Sequence, residues 1–412
     1  MDEPVTIIGA GIVGICCALS LLERGVKVRL IDRGEPGQET SFGNAGVISP
    51  WSIVPQSVPG IWKSIPNMLF SGSGPLSVRP SYWPKMIPWG LKFLAKSSEA
   101  QTRAAADAME LLCQPSVMLY KRHLQGTGHE NLVVDSFYVH AFRNRQKADL
   151  NELGYAIRAE KGANMELVGS DILGDIEPAL SPEFTAAILI KGQARAVSPG
   201  RIGKVLANKA RQLGAEFITA DVRALKDLGP KGWQIATSNE LVHTKTVVMA
   251  AGIWSADLLQ SIGLKLPLVA ERGYHVEFPN TSIALNNSIM DVDAKIVASS
   301  MQGGVRVAGS SEFGAIDAPP DPAKKALLAR QSKAMFPELD LKEMTFWMGR
   351  RPSFPDSLPA LGPIKNNRGL FAAFGHSHYG LMMAPKSGEL IADCVTGVRS
   401  NIDLSPFDSE RF

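Results

Sequence analysis

Cysteine is scarce in this chain of 412 residues: there are four, and no two of them form a CxxC pair. Cys16 and Cys17 are adjacent, which makes a bond between them difficult, so we expect neither a disulfide framework nor a zinc site. Reduced thiols are typical of a cytoplasmic protein. The acidic start of the sequence also differs from a secretory signal peptide. We therefore expect a cytoplasmic location.

Long apolar runs and several catalytic motifs are also missing. The longest apolar runs, such as 247–254, are much shorter than the ~20 residues that cross a bilayer. The seven histidines show no HExxH spacing, and no GxSxG motif occurs. We therefore expect no membrane span, no metal site and no serine hydrolase.

A large excess of charge of one sign is missing too. The 43 Lys and Arg nearly balance the 40 Asp and Glu, and the net charge is +3. Such a charge does not indicate nucleic acid as a partner. The apolar fraction of 45% and the charged fraction of 20% are typical of a globular protein. At roughly 150 residues per domain, the length predicts two or three domains.

The first forty residues predict a βαβ unit that binds a dinucleotide. A β-branched strand leads into the pattern GxGxxG, and a second strand ends at Asp32. In such a unit Gly9 forms the turn, and Gly11 lets the backbone approach a pyrophosphate. Gly14 lets the helix pack on the strand, and Asp32 accepts a hydrogen bond from a ribose hydroxyl. FAD and NAD share the adenosine diphosphate half, so this unit does not distinguish between them.

Residues 39–50 provide the first resemblance to a known family. The segment ETSFGNAGVISP resembles the one after the second strand in FAD-dependent bacterial D-amino-acid dehydrogenases, which belong to the D-amino-acid oxidase and glycine oxidase superfamily. Small and polar residues of this kind offer backbone N–H groups to a pyrophosphate or a flavin edge. Later segments extend the resemblance over nearly the whole chain, and it is weakest at 51–195.

Three later segments carry this resemblance. Residues 247–254, VVMAAGIW, are similar to the second FAD-contacting strand of these flavoproteins, and we expect Ser255 to cap the helix that follows. The segment WMGRRP resembles the family pattern W-x-G-x-R-P, which makes Arg351 the residue that binds the substrate carboxylate. A guanidinium suits this role because two parallel N–H groups meet both carboxylate oxygens. GHSHYGL at 375–381 precedes a predicted helix that starts near residue 384, and the family places the isoalloxazine at its N-terminus.

The resemblance implies FAD bound without a covalent link, because relatives that attach flavin use a cysteine near the carboxylate-binding segment. Substrate contacts are expected from Arg351, Tyr274 and His378, and the catalytic candidates are His378 and Tyr379. The residues expected to contact FAD are Gly9, Gly11, Ile12, Val13, Gly14, Asp32, Arg33, Thr40, Ser41, Asn44, Ala45, Gly46, Val47, Val222, Ala251, Gly252, Trp254, Gly349, Arg350, Gly375, His376, Gly380 and Leu381.

The expected fold class is α/β, with a Rossmann-like FAD-binding domain built from discontinuous segments and an α+β substrate domain with an antiparallel sheet. We assign residues 1–50, 196–262 and 345–412 to the FAD-binding domain, and residues 51–195 and 263–344 to the substrate domain. Within the second FAD-binding segment, a helix after Pro199 and one strand over 215–225 are predicted.

Residues 51–98 form an unusual insert. No Asp or Glu occurs from Thr40 to Ser98, and four of the seven tryptophans lie there with eight prolines and five basic residues. Such a segment suits a membrane interface, where indoles lie at the headgroup level and cations meet anionic lipid. The alternative is an irregular lid packed on the substrate domain. Similar dehydrogenases pass electrons to a membrane quinone pool, so a peripheral location on the inner face of the membrane is the alternative to a purely cytoplasmic one.

The function implied by the resemblance is FAD-dependent oxidation of the α-C–N bond of an amino acid, with a D-amino acid favoured. Hydride transfer to flavin gives the imino acid, and the electrons pass to a quinone or an electron-transfer partner. One alternative is an oxidase or dehydrogenase of glycine or of a secondary amine such as sarcosine or hydroxyproline. Another is a flavin-binding subunit without turnover that hands electrons to a partner.

Overall fold

The computed structural model describes residues 3–70, 74–398 and 401–412. Strands and helices are numbered along this part of the chain. The strands are β1 Val5–Ile8, β2 Val28–Asp32, β3 Val47–Ile48, β4 Leu76–Val78, β5 Val133–Phe142, β6 Met165–Gly169, β7 Ala186–Ala196, β8 Glu216–Thr219, β9 Val222–Asp227, β10 Trp233–Thr237, β11 Leu241–Thr244, β12 Val247–Met249, β13 Val269–Pro279, β14 Ser288–Asp291, β15 Ile296–Met301, β16 Gly304–Phe313, β17 Thr345–Ser353, β18 Ala360–Pro363 and β19 Leu370–Phe374. The helices are α1 Ile12–Leu22, α2 Ile61–Phe70, α3 Trp83–Ala95, α4 Glu99–Cys113, α5 Ser116–Leu124, α6 Leu153–Glu160, α7 Ser170–Ile176, α8 Pro199–Gln212, α9 Trp254–Gln260, α10 Pro322–Met335 and α11 Gly380–Thr396.

The smaller of two main sheets contains the predicted βαβ unit. Its strand order is β18-β19-β12-β1-β2-β8, and its pairings are parallel except for β18 with β19. The strands β1 and β12 are buried along their whole length, as expected for parallel strands covered on both faces. This sheet confirms the Rossmann-like part of the predicted fold class.

The larger sheet has the order β17-β13-β16-β15-β14-β5-β7-β3, with β4 beside β16 and β6 beside β7. Its pairings are antiparallel except for β14 with β5 and β4 with β16. Because successive side chains on a strand point to opposite faces, β13 places Glu271 and Gly273 on one face and Tyr274 and Val276 on the other. Tyr274 and Val276 belong to a buried apolar core.

The strand expected over 215–225 is two strands. After β8, the N–H of Ala220 bonds to the carbonyl of Asp32, and the chain leaves the smaller sheet. It then enters β9, which pairs with β10 in a separate antiparallel sheet of order β11-β10-β9. The sequence alone misses this change because only two residues, Ala220 and Asp221, separate the two strands.

The domain bounds remain a prediction, and β17 bears on them. This strand pairs along its length with β13 in the larger sheet, whereas the predicted bounds assign residues from 345 onward to the FAD-binding domain. The chain joins the smaller sheet again at β18. The chain therefore passes from the larger sheet to the smaller sheet after Ser353.

Two helices differ from their predicted starts. The last helix ends at Gly397 (φ 72°) as predicted, but it begins at Gly380, so Pro385 lies inside it. Proline lacks an N–H group and cannot bond to the carbonyl four residues earlier. The hydroxyl of Tyr120 donates to that carbonyl, on Leu381, at 2.7 Å. Similarly, α9 begins at Trp254, so Ser255 lies inside the first turn and does not cap it.

The insert contains α2 and α3, with β4 between them pairing with β16. Trp89 is buried, and its indole N–H donates to the carbonyl of Ser353 at 3.3 Å. A stripe along α3, formed by Trp83, Ile87, Leu91 and Leu94, is exposed. In the part of the chain described, no helix is both long and apolar enough to cross a membrane.

Candidate active site

A cavity of about 1150 Å³ is lined by both sheets and by the insert. Sites for drug-sized ligands measure roughly 300–1,000 Å³. Its walls include the turn after β1, the 39–47 loop, both helices of the insert and the start of α11. The cavity therefore has room for a large cofactor and a small substrate together.

The glycine turn is shaped by close backbone contacts. Gly9 has a φ of 107°, and a Cβ atom there would lie 2.4 Å from the carbonyl oxygen of Ala250. A Cβ atom on Gly14 would lie 2.0 Å from the carbonyl oxygen of Gly9, so the helix packs against the turn only with glycine at this position. At Gly11 a Cβ atom would meet only the Ser41 hydroxyl oxygen, at 3.5 Å. The backbone at Gly11 therefore faces open space.

Asp32 and Ser41 hold the chain around this turn. The Asp32 carboxylate accepts hydrogen bonds from the backbone N–H of Ala10 at 2.6 Å and of Gly34 at 2.9 Å. Burial raises the pKa of Asp32 above its ordinary value. The Ser41 hydroxyl accepts a hydrogen bond from the N–H of Ile12 at 3.0 Å. These contacts join the end of β2 and the 39–47 loop to the first turn of α1.

The 39–47 loop is held against the larger sheet by Trp347. The indole lies where a Cβ atom on Gly43 or on Gly349 would come within 2.1 Å of its ring atoms. It also stacks on His275 with ring centroids 4.9 Å apart. Arg306 donates to the carbonyl oxygens of two loop residues, Phe42 at 2.9 Å and Asn44 at 2.8 Å. Contacts from the larger sheet thus fix this part of the cavity wall.

The other end of the cavity carries charged and aromatic side chains. The Arg33 guanidinium lies 4.0 Å from the centroid of the Trp254 ring. Glu39 forms ion pairs with Arg33 at 3.2 Å and with Arg350 at 3.9 Å. Such a set suits a flat aromatic group with polar edges.

Arg351 lies in the cavity between two strands. Its Nη1 atom donates to a Glu271 carboxylate oxygen and to the Ser310 carbonyl oxygen, both at 3.3 Å. The guanidinium lies over Gly273, where a Cβ atom would come within 2.2 Å of Cζ and Nη2. Nε and Nη2 of Arg351 have no protein partner among the described residues. Two donors therefore remain for a ligand.

Glu271 is the carboxylate at the centre of this cluster. It is 2% exposed and accepts hydrogen bonds from the hydroxyls of Ser311 and of Ser353, the latter at 2.9 Å. His378 Nε2 lies 2.5 Å from a Glu271 oxygen. Burial raises the pKa of Glu271, but His378 and Arg351 outweigh burial and hold that pKa well below its ordinary value. Glu271 is therefore an anion that positions both neighbours.

The loop before α11 places two further rings. Burial lowers the pKa of His376 to about 3, and this neutral ring lies 3.0 Å from the Ser387 hydroxyl. The Tyr379 hydroxyl donates to the Val54 carbonyl at 3.0 Å, and burial raises its pKa. Tyr379 therefore stays protonated and joins the insert to α11.

The sequence matches a known protein family over most of its length. The family described as FAD dependent oxidoreductase (DAO) matches residues 4–394. The chain belongs to this family. It is 36% identical over 415 residues to a D-amino-acid oxidase of Bradyrhizobium diazoefficiens, covering 99% of this chain and 98% of the relative. It is 30% identical over 416 residues to a D-amino acid dehydrogenase of Rhizobium rhizogenes, covering 99% of each.

Two solved structures share the fold. Glycine oxidase from Geobacillus kaustophilus superposes with a TM-score of 0.76 at 22% identity, covering 100% of this chain and 99% of the other. L-proline dehydrogenase from P. horikoshii gives a TM-score of 0.77 at 20% identity, covering 100% and 97%. These similarities confirm the mixed α/β architecture.

The FAD of this family fits the cavity. The first turn of α1 begins at Gly11, where an added Cβ would meet only the Ser41 hydroxyl oxygen, and the N-terminus of a helix suits a pyrophosphate. Asp32, Arg33 and Trp254 line the adjoining space. All the residues expected to contact FAD line the cavity except Gly14 and Gly46. The contact of each of these residues with FAD stays a prediction.

The structure brings together three of the four residues predicted to serve the substrate. Arg351, His378 and Tyr379 lie in one part of the cavity wall around Glu271. Tyr274 also lines the cavity, but its side chain does not join this cluster. Its side chain is 1% exposed, stacks on Phe346 and donates its hydroxyl to Glu312, on the face of β13 opposite Glu271. Its hydroxyl is thus engaged on the other face of the strand, and a substrate contact by Tyr274 stays a prediction.

Sequence reasoning misses Glu271 and Gly273. The available signal is a pair of charged residues, Glu271 and Arg272, inside a segment with the apolar content of a buried strand. Their partners follow only from the pairing of β13 with β17, which sets Glu271 beside Arg351 and Gly273 beside Gly349. That register is a tertiary property.

Proposed function

We propose that this FAD-dependent oxidoreductase converts an amino acid, with the D enantiomer preferred, to the corresponding imino acid by oxidising its α-C–N bond. The observation that carries the proposal is Arg351, whose free donors face the cavity that also contains the glycine turn. The names of the relatives at 36% and 30% identity support the D configuration.

Arg351 is the residue proposed to bind the α-carboxylate. Its position does not depend on the substrate, because Glu271, the Ser310 carbonyl and the bare α-carbon of Gly273 already fix the guanidinium. Binding therefore costs little side-chain entropy, and the α-carbon is held in one orientation. When bound, FAD supplies the acceptor for the α-hydrogen and its electron pair.

The remaining side chains around the proposed substrate position supply no charged acid, and they limit the access of water. Tyr379 and His376 are held neutral by burial, so neither acts as a charged acid near the reacting carbon. Apolar side chains of the insert, among them Met86, Trp89 and Phe93, line the cavity and limit access of water. A neutral amine supplies its own electron push once the carboxylate is fixed, so the chemistry needs orientation more than acid or base groups.

An anaerobic reduction screen tests this function. Purified holoprotein is mixed with D- and L-amino acids, glycine, sarcosine and hydroxyproline, and flavin absorbance is followed. We expect bleaching by D-amino acids and weaker bleaching by their L enantiomers. Bleaching by sarcosine or hydroxyproline alone would identify a secondary-amine enzyme. No bleaching by any compound would leave a flavin protein that does not turn over amino acids.

We further propose that the electrons leave to a membrane quinone, which makes the enzyme a dehydrogenase located at the inner face of the membrane. The insert supports this, because its exposed stripe reaches the cavity: Trp83 and Leu94 belong to the stripe and also line the cavity. Substrate-reduced enzyme is mixed with air or with a water-soluble quinone. We expect fast reoxidation by the quinone only, and reoxidation by air at the rate of turnover would identify an oxidase.

A further inference from the structure

Arg158, on α6, lines the same cavity as Arg351 but has no carboxylate partner in the part of the chain described. Its Nε atom donates to the Trp51 carbonyl and its Nη1 atom to the Gly154 carbonyl, both at 2.8 Å. Glu152 is a carboxylate in its surroundings, but it is exposed at the N-cap of α6 and forms no ion pair with Arg158. Nη2 is therefore without a hydrogen-bond partner among the described residues, and the guanidinium charge has no ion-pair partner there.

His140 gives an independent sign of a missing ligand. The side chain is 6% exposed, its Nδ1 atom lies 2.8 Å from the Tyr155 hydroxyl, and its Nε2 atom is buried without a hydrogen-bond partner. Burial, Arg158 and Lys295 all lower the pKa of His140, so the ring is neutral. The Tyr155 hydroxyl can donate to Nδ1 or accept from it, and Nε2 carries the ring hydrogen in the first case and a lone pair in the second. Buried polar atoms are normally satisfied, so Nε2 is an atom for which the described residues supply no partner.

Two further donors complete the same region. Lys295 lies at the exposed turn between β14 and β15 and lines the cavity. The neighbouring carboxylates are already engaged, since Asp291 pairs with Arg143 at 2.6 Å and Asp293 with Lys147 at 2.7 Å. Tyr138 also lines the cavity, and its hydroxyl has only the weak acceptor Met290 Sδ, at 3.6 Å. We name Tyr138, His140, Arg158 and Lys295 the donor pocket.

We propose that the donor pocket binds a second carboxylate, at the side-chain end of the substrate, so that the preferred substrates are amino acids with acidic side chains. This inference rests on the proposed function and on Arg351 as the α-carboxylate site. A carboxylate offers only acceptors, and the pocket offers two cations, Arg158 and Lys295, that form no ion pair among the described residues, beside a phenol and an imidazole that can also donate. A neutral or apolar side chain would leave these donors unpaired, which is the condition under which a site rejects a ligand strongly.

Matched substrates test the proposal. We measure kcat/KM for D-aspartate against D-asparagine, D-glutamate against D-glutamine, and D-2-aminoadipate against D-norleucine. The wild type should favour the acid in at least one pair by about ten- to a hundredfold, the range of one charge-assisted hydrogen bond. The pair with the largest ratio reports the separation of Arg351 from the donor pocket. Equal turnover of acid and neutral partner in all three pairs would overturn the proposal.

Variants of Arg158 test whether the donor pocket causes the preference for acidic side chains. Arg158→Met should bring the acid-to-neutral ratio near one, and Arg158→Lys should retain part of it. Arg195→Met is the matched control, because Arg195 is also half-buried, donates to a backbone carbonyl and forms no ion pair among the described residues, but it does not line the cavity. A structural role for Arg158 would lower both members of a pair equally, and an unchanged ratio in Arg158→Met would overturn the proposal.

A titration of the wild-type protein with simple carboxylates also tests the proposal. Glutarate and succinate should perturb the flavin spectrum at concentrations about tenfold lower than butyrate or propionate. If dicarboxylates and monocarboxylates behave alike, the donor pocket does not bind carboxylate. This titration also distinguishes the failure of one proposal from the failure of the other. If no amino acid reduces the flavin, the proposed function fails. The preference for dicarboxylates would still show whether the donor pocket binds carboxylate.

Discussion

The guanidinium of Arg351 lies against the bare α-carbon of Gly273 on the neighbouring strand, and a methyl group there would come within 2.2 Å of Cζ. The pairing of β13 with β17 sets this contact, with Glu271 opposite Arg351 and Gly273 opposite Gly349. The position of the proposed carboxylate-binding group thus depends on the absence of a side chain two residues from Glu271.

Gly273→Ala should therefore displace Arg351 without emptying the cofactor site. We expect KM for the amino acid to rise about ten- to a hundredfold, as for loss of one charge-assisted hydrogen bond, with normal FAD content. Steady-state kinetics and the flavin-to-protein absorbance ratio measure both. Gly174→Ala is the control, because no heavy atom lies within 4 Å of the added Cβ and its φ is ordinary. Unchanged KM in Gly273→Ala would show that Arg351 does not bind substrate in this position.

Arg351→Lys keeps the charge and removes the planar fork. A carboxylate then meets one point charge in place of two parallel donors, so apparent substrate affinity should fall about ten- to a hundredfold. Anaerobic titration of flavin absorbance with substrate measures the affinity, and exposed Arg330→Lys serves as the control. Normal FAD content with unchanged affinity would transfer the assignment to Arg350.

Glu271→Gln should lower stability in a pH-dependent way. Removing one charge from a buried cluster costs about 3–5 kcal/mol, because the charges of its partners lose their compensation. The pKa of Glu271 is held below its ordinary value of 4.5 in the folded protein, so its stabilisation is complete above about pH 4.5 and decreases as the pH falls further. Urea midpoints of wild type and variant should differ most at pH 6–8 and converge below pH 4.5.

The control for that experiment is Glu160→Gln. Glu160 is exposed and pairs with Arg103 at 2.6 Å, so its loss should change stability by less than about 1 kcal/mol. A Glu271→Gln midpoint equal to that of Glu160→Gln at pH 7 would contradict a buried anionic Glu271.

FAD should be released completely by acid precipitation. None of the four cysteines lines the cavity, and burial raises the pKa of Cys16, Cys17 and Cys113, which keeps these thiols protonated. A thiol of this kind is a poor nucleophile toward flavin. Absorbance of the supernatant and of the washed pellet measures the release. Yellow colour in the pellet would mean a covalent link.

The insert should bind anionic vesicles reversibly. Its exposed stripe has apolar residues at spacings of three and four, which places them on one face of α3, and Lys85, Lys92 and Lys96 lie on the same helix or next to it. Each basic residue near an anionic surface contributes about 1 kcal/mol, screened over a Debye length of ~8 Å at physiological salt. Sedimentation with vesicles should fall as salt rises.

The triple variant Lys85→Gln, Lys92→Gln, Lys96→Gln should sediment less than wild type. The matched control changes three exposed lysines elsewhere, Lys226, Lys231 and Lys245, to Gln. Ile87→Ser with Leu91→Ser should weaken binding at every salt concentration. Absence of sedimentation at low salt would identify the insert as a lid over the substrate cavity.

Local patterns in the sequence predict the parts of the site that are contiguous in the chain. The turn at Gly9 and Gly11, the 39–47 loop and Arg351 are read from short motifs, and all line the cavity. The role of Glu271 becomes visible only in the folded protein, because the residues it contacts, Arg351 and His378, lie 80 and 107 residues away. A local pattern contains no information about such pairs.

Tyr274 and Pro385 show how a local pattern can differ from the folded arrangement. Tyr274 is adjacent to Gly273 in sequence, but a strand alternates its faces, so its side chain points away from Arg351. Pro385 predicts a helix start, yet the Tyr120 hydroxyl satisfies the carbonyl that the proline leaves free. At Tyr274 the alternation of the strand decides the outcome, and at Pro385 a partner distant in sequence, Tyr120, does so.

The packing of the Trp347 indole against Gly43 and Gly349 has a consequence for how the protein folds. The loop that completes the wall of the nucleotide site is clamped by an indole from the larger sheet, although the glycine turn itself belongs to the smaller sheet. A fragment containing only the first βαβ unit would lack this clamp. We therefore expect FAD to be taken up late in folding, so that flavin colour appears only after the two sheets have packed together.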